Sequence, residues 1–133
     1  NPIDLAGGET QDTIPNVISV ALQHPKVDSI IFLGLGIQGN VARSYLESPL
    51  RTQETERMAN FHMSQEKRYA ESIVQGIKDH KKPVFVASEI GITDSTNPGP
   101  SRLIELGSMC YNSPSSAVRS LEALTKFSAM DKG

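Results

Sequence analysis

The residues in this sequence whose types and spacing could do chemistry are Gly34-Leu35-Gly36-Ile37-Gln38-Gly39, a literal G-x-G-x-x-G between a predicted strand and a predicted helix. Small residues let backbone N–H groups converge at such a turn. The first N–H groups of a helix have no intrahelical partner and carry the positive end of its dipole, so an anion is favoured there. A phosphate or carboxylate is therefore the expected ligand, with Gly36, Ile37 and Gln38 as binding positions and Gly34 and Gly39 supporting the loop. Asp4, just ahead of Gly7-Gly8, is a further loop-supporting candidate. The same pattern also reads as a dinucleotide fingerprint, which requires an acidic residue about 20 residues on, at the end of the next strand. Here that strand ends near Glu89, 50 residues beyond Gly39, and Glu54 and Glu56 lie in a polar, non-strand stretch. A third reading gives the glycines only the steric job of a tight turn.

Other reactive side chains are poorly placed for chemistry. A phosphate-carrying histidine needs an exposed loop with small neighbours. His24 precedes Pro25 at a helix end, and His62 and His80 lie in polar helical surroundings, so no catalytic residue is expected. Ser88 and Ser113 have no histidine at a spacing that supports a nucleophilic triad, and Glu89 reads equally as a solvated loop acid. Cys110 is the lone cysteine, which excludes an internal disulfide and a zinc knuckle, and no metal site is expected. The 13 basic and 15 acidic residues give a net charge of −2 without a Lys/Arg run, so a nucleic-acid surface is excluded. The longest apolar run, Ile30 to Leu33, is far too short to cross a bilayer, and a cytoplasmic protein without membrane contact is expected.

The elements that must position the glycine turn follow from hydrophobic period. Ile3 to Leu5 is a short extended segment, and the abrupt start before it reads as a cut inside a larger protein. Ile14, Val17, Ile18, Ala21 and Leu22 recur at helical spacing and stop before Pro25. Val27 to Leu33 is a near-continuous apolar strand, as a parallel strand covered on both faces should be. Asn40 to Leu46 reads as a helix ending before Pro49. A polar stretch, Leu50 to Met63, then runs into a long amphipathic helix marked by Tyr69, Ile73 and Ile77 and ending near His80. Pro83 to Ser88 is the second firm strand, and Gly91 to Pro100 is expected as a surface loop. Ser101 to Leu106 forms a short helix closed by Gly107, and Met109 to Tyr111 a short strand. Ser113-Pro114 starts a final helix carrying Ala117, Val118, Leu121 and Leu124.

Strands alternating with helices predict one α/β domain over residues 1–133, a three-layer αβα sandwich around an open parallel sheet of about four strands. Ligands of such sheets bind beyond the carboxyl ends of the strands, where the glycine turn lies.

Asn1-Pro2-Ile3-Asp4-Leu5-Ala6-Gly7-Gly8, Val27-Asp28-Ser29-Ile30-Ile31-Phe32, Lys82-Pro83-Val84, and Tyr111-Asn112-Ser113-Pro114 followed by Ala117-Val118 and Leu121 occur in a meaningful order. Together they resemble the second flavodoxin-like ligase-CoA domain of NDP-forming acyl-CoA synthetases, which is similar to the carboxy-terminal domain of the succinyl-CoA synthetase beta subunit. The resemblance covers nearly the whole chain and fits least well over Leu50 to Met63. It departs at Leu35, where the succinyl enzymes have a second adjacent glycine. It implies an enzyme that joins an acid to CoA at the expense of ATP or GTP, through an acyl phosphate and a phosphohistidine. CoA, nucleotide and Mg would be held by other domains (CoA-binding, phosphohistidine and ATP-grasp) and none by this one. This domain would contribute Asn1 and the helix start at Gly36, Ile37 and Gln38 to a phosphate and substrate-carboxylate site. Relatives that acetylate protein lysines share the domain set, so an acyltransferase fusion is also implied. The alternatives are a docking module whose glycine loop is purely structural, and a dinucleotide-binding domain.

Overall fold

The computed structural model of the chain describes residues 2–5 and 12–130. Among these lie six helices and three strands: α1 Thr13–Gln23, β1 Ile30–Leu33, α2 Ile37–Glu47, α3 Gln53–His80, β2 Val84–Ala87, α4 Ile90–Thr93, α5 Pro98–Glu105, β3 Cys110–Tyr111 and α6 Pro114–Met130. The strands form one open parallel sheet in the order β1-β2-β3, with Ile30 opposite Val84 and Val86 opposite Cys110. The mixed α/β class and the parallel sheet match the sequence expectation.

Alternation along β2 sorts the core into two layers. Val84 and Val86 face Ile14, Ile18 and Leu22 of α1, Tyr69, Ile73 and Val74 of α3, and Leu103 of α5. Phe85 and Ala87 face the other way, against Ala117 and Leu121 of α6. All four residues of β2 are buried, the pattern of a central parallel strand. Among the described residues no helix is long and apolar enough to cross a membrane.

Among the described residues the sheet has three strands, and a fourth is not seen. Pro2–Leu5 makes no ladder: Pro2 has no N–H to offer, Ile3 is exposed at the mouth of a groove that it lines with Val17 and Val20 of α1, and Leu5 packs on the larger core. Packing of Leu5 on the core thus takes the place of edge pairing.

The start of the long helix, left open by the hydrophobic period, lies in the polar stretch. It is helical from Gln53, and the Thr52 hydroxyl accepts from Thr55 N–H while the Thr55 hydroxyl accepts from Thr52 N–H, a reciprocal cap. Glu54 and Glu56 in the first turn complement the helix dipole. At 28 residues α3 is about 42 Å long. Its second half is the crossover from β1 to β2. Its first half lies antiparallel to α2, with Gly36 and Gln38 at Glu66 and the Tyr45 ring stacked on His62 at 5.9 Å. Because Glu66 is level with the turn that follows β1, residues 53–65 extend past the carboxyl edge of the sheet as a helical arm. At the opposite end, Lys82 Nζ donates to the carbonyls of Leu22 and His24 at 2.7 and 2.8 Å, closing α1.

Close packing of α1 on α3 needs Gly76, where an added Cβ would come 2.7 Å from Leu22 Cδ1. In a Leu22→Ala background, Gly76→Ala should gain about 0.5–1 kcal/mol of helix propensity. With Leu22 present, overpacking of about 1–3 kcal/mol should cancel or reverse that gain. Urea denaturation of the four proteins measures the coupling, and equal effects in both backgrounds would contradict this packing.

Candidate functional site

Gly34 and Gly36 both adopt left-handed φ, +94° and +106°, which L side chains rarely reach. Between them the Leu35 side chain turns inward and is fully buried, and its carbonyl accepts the Ser88 hydroxyl at the end of β2. Ile37 N–H donates back to Gly34 O at 3.3 Å. Gly36 O accepts both Asn40 N–H, the first bond of α2, and Asn97 Nδ2. The turn is therefore pinned from β1, β2 and the start of α5.

The groups expected to bind an anion do face one, and it belongs to the chain. Glu66 of α3 is 1% exposed, and its carboxylate accepts Gly36 N–H at 2.8 Å and Gln38 N–H at 2.7 Å. The nearby Gly39 N–H also favours the charged form of this carboxyl. Ile37 uses its own N–H in the turn and leaves its side chain half exposed. Space for the carboxylate comes from Gly99 in α5, where an added Cβ would lie 2.3 Å from Glu66 Oε2. Burial pushes the Glu66 carboxyl above its ordinary value, and the three N–H groups pull the other way without overcoming it. One residue earlier, Gln65 is 7% exposed, and its Oε1 has no hydrogen-bond partner among the described residues.

Asn97 was expected in a surface loop and instead is buried at the N-cap of α5, with its side chain accepting Gly99 N–H at 3.2 Å. The helix starts at Pro98, not Ser101, because Asn97-Pro98 supplies a cap followed by a proline at the first position. Nearby, Asp94 is held below its ordinary carboxyl value by the Thr96 hydroxyl first and by Arg43 of α2, which pairs with it.

Asn1 lies outside the described residues, as do Gly7 and Gly8. Asp4 is exposed in the segment ahead of α1. His24 accepts Lys26 N–H at the end of α1, His62 stacks on Tyr45, and His80 closes α3. Ser113 caps α6 by accepting Ser116 N–H. Burial raises the Cys110 thiol. Among the described residues no three His, Cys, Asp or Glu side chains gather as metal ligands. Chemically, the arrangement is a cradle: donors from one helix start converge on a carboxylate in a water-poor pocket, a geometry that equally suits a phosphate oxygen.

Glu66 and Asn97 both left signals in the sequence. Glu66 continues the buried face of Tyr69, Ala70, Ile73 and Ile77 at helical spacing, so an acid occupies an apolar position. Asn-Pro before a short apolar period is a helix start.

The raised native value fixes the sign of a pH effect. Above pH 4.5, the ordinary carboxyl value, and up to the raised value, the native state binds more protons than the unfolded chain. The contribution of Glu66 is fully present below 4.5 and is lost as pH rises through the raised value. In urea denaturation the stability of the native chain relative to Glu66→Gln should therefore fall as pH rises, and a difference growing with pH would mean that the amides outweigh burial. Asn97→Ala should cost about 1–3 kcal/mol by leaving the Gly36 carbonyl and Gly99 N–H short of a buried partner. No family model, curated protein or solved structure matches the chain.

Proposed function

We propose that the chain is a flavodoxin-like domain of an ADP- or GDP-forming acyl-CoA synthetase, one that brings the first turn of α2 to an active centre shared with other domains. Those domains would hold CoA, the nucleotide with Mg and the phosphohistidine, and this one would act on the phosphoryl group or acid carboxylate through backbone N–H groups. One observation carries the reading. Gly36 and Gln38 N–H converge on a single carboxylate at hydrogen-bond distance, at the carboxyl edge of a parallel sheet. The order of sequence segments from Asn1-Pro2 to Ser113-Pro114 supports the family. A cradle of this kind stabilises charge without itself forming a covalent bond, so the isolated domain should not turn over.

A docking role is the second reading, favoured by α6. Beyond Leu121 every described residue of this helix is exposed, including Leu124, Phe127 and Met130. On that reading the helix packs on a sister domain and the glycine turn is purely structural.

Gln38→Pro separates the two in the complete enzyme, because proline is tolerated in a first helical turn and removes one converging N–H. The cradle reading expects intact assembly with about a 10²–10³-fold loss in phosphoryl transfer to histidine, the usual cost of one lost oxyanion donor. Unchanged transfer would reject it. The docking reading expects Phe127→Glu, not Gln38→Pro, to disrupt assembly as read by gel filtration.

A further inference from the structure

Two amides at the start of α2 end on different oxygens of one carboxylate: Gly36 N–H reaches Glu66 Oε2 at 2.8 Å and Gln38 N–H reaches Oε1 at 2.7 Å. Both oxygens therefore accept. An ionised carboxylate only accepts, whereas a protonated one turns one oxygen into a hydroxyl that has to find an acceptor of its own. The carbonyls of the turn are already taken. Gly34 O holds Ile37 N–H, Leu35 O holds the Ser88 hydroxyl, and Gly36 O holds Asn40 N–H and Asn97 Nδ2. The hydrogen bonding thus suits the charged form, while burial favours the neutral one. Burial and backbone N–H groups are what act on the carboxyl. Charged residues on the elements packed around it pair elsewhere: Arg43 of α2 with Glu47 and Asp94, Arg102 of α5 with Glu71 and Glu105, and Arg68 of α3 with Asp12. His62, one turn back on α3, stacks on Tyr45, and the α5 residue pressed on Glu66 is Gly99.

We propose that Glu66 is a pH-operated latch: ionised, it clamps the first turn of α2 to α3, and protonated, it releases one of the two amides while the rest of the fold holds. The acid form keeps one carbonyl oxygen and so keeps one N–H. The other amide then faces a hydroxyl whose proton has no free acceptor among the carbonyls of the turn. The fold survives because neutralising a buried carboxyl removes the desolvation cost that opposed it. Loosening is therefore local. In the larger core, Ile73, Val86 and Leu103 carry no titratable group. Because burial raises the carboxyl, the latch opens as pH falls toward 4.5, with its midpoint above that value. The device needs no ligand at the turn and stands apart from the proposed function.

The test follows the chain by nitrogen–proton NMR as pH falls, reading hydrogen-exchange protection at Gly36, Gln38, Ile73 and Val86 after correction for the intrinsic pH dependence of exchange. Protection at Gly36 or Gln38 should fall about tenfold or more, the worth of one hydrogen bond to a charged group, while Ile73 and Val86 stay protected. The midpoint should lie above pH 4.5 and match that of the Glu66 carboxyl, followed by its carbon-13 shift. In Glu66→Gln, whose side chain has one acceptor oxygen and does not titrate, the same amide should show the low protection at every pH. If Glu66→Gln does not fold by circular dichroism, the match between amide and carboxyl midpoints in the native chain decides alone. Protection unchanged across the carboxyl titration would overturn the proposal. So would a parallel loss at Ile73 and Val86, a mismatch of the two midpoints, or pH dependence kept by a folded Glu66→Gln.

Discussion

The rest of the structure depends on one buried carboxylate meeting the start of one helix. Moving an ion such as Glu66 out of water costs several kcal/mol even after relaxation. Hydrogen bonds to a charged group return about 1.5–3 kcal/mol each. Glu66 accepts two backbone hydrogen bonds, and its raised carboxyl value shows that burial outweighs them. The pairing therefore adds little net stability, but it fixes geometry. It ties α3 to the turn after β1 and sets the angle at which α2 leaves the sheet. It also demands glycine at position 99 of α5.

Around that contact the fold uses ordinary means. A fully buried β2 anchors two cores of unequal size, one covered by three helices and the other by α6 alone. Asn97 and Ser88 add neutral hydrogen bonds to the carbonyls of Gly36 and Leu35, so the polar backbone of a sharp turn is satisfied where water is largely excluded.

Much of this was legible before any coordinates. The strands around Ile30 and Val84, the Leu22 and Tyr69–Ile77 faces, the Gly107 helix end and the Ser113-Pro114 start all follow from local rules, because each depends on period or on a single residue's dihedral preference. The glycine turn was legible as a place where amides converge. What filled it was not, since Glu66 is 30 residues from Gly36 and the pairing is set by how α2 folds back on α3. The Ile3–Leu5 segment misled for a related reason: an extended apolar stretch fits a sheet edge or a groove on a helix equally well, and tertiary packing decides.

The continuity of α3 has a mechanical consequence. One unbroken rod carries both the β1–β2 crossover and the arm beyond the sheet, with Glu66 near the point where the two meet. The 13 residues before Glu66 make a lever of about 20 Å. A helix resists bending because each turn is closed by its own hydrogen bonds, and here the packing of α2 along the arm stiffens it further. Met58 and Phe61, both exposed on the arm, lie on the same continuous helix as the carboxylate that meets the amides of α2.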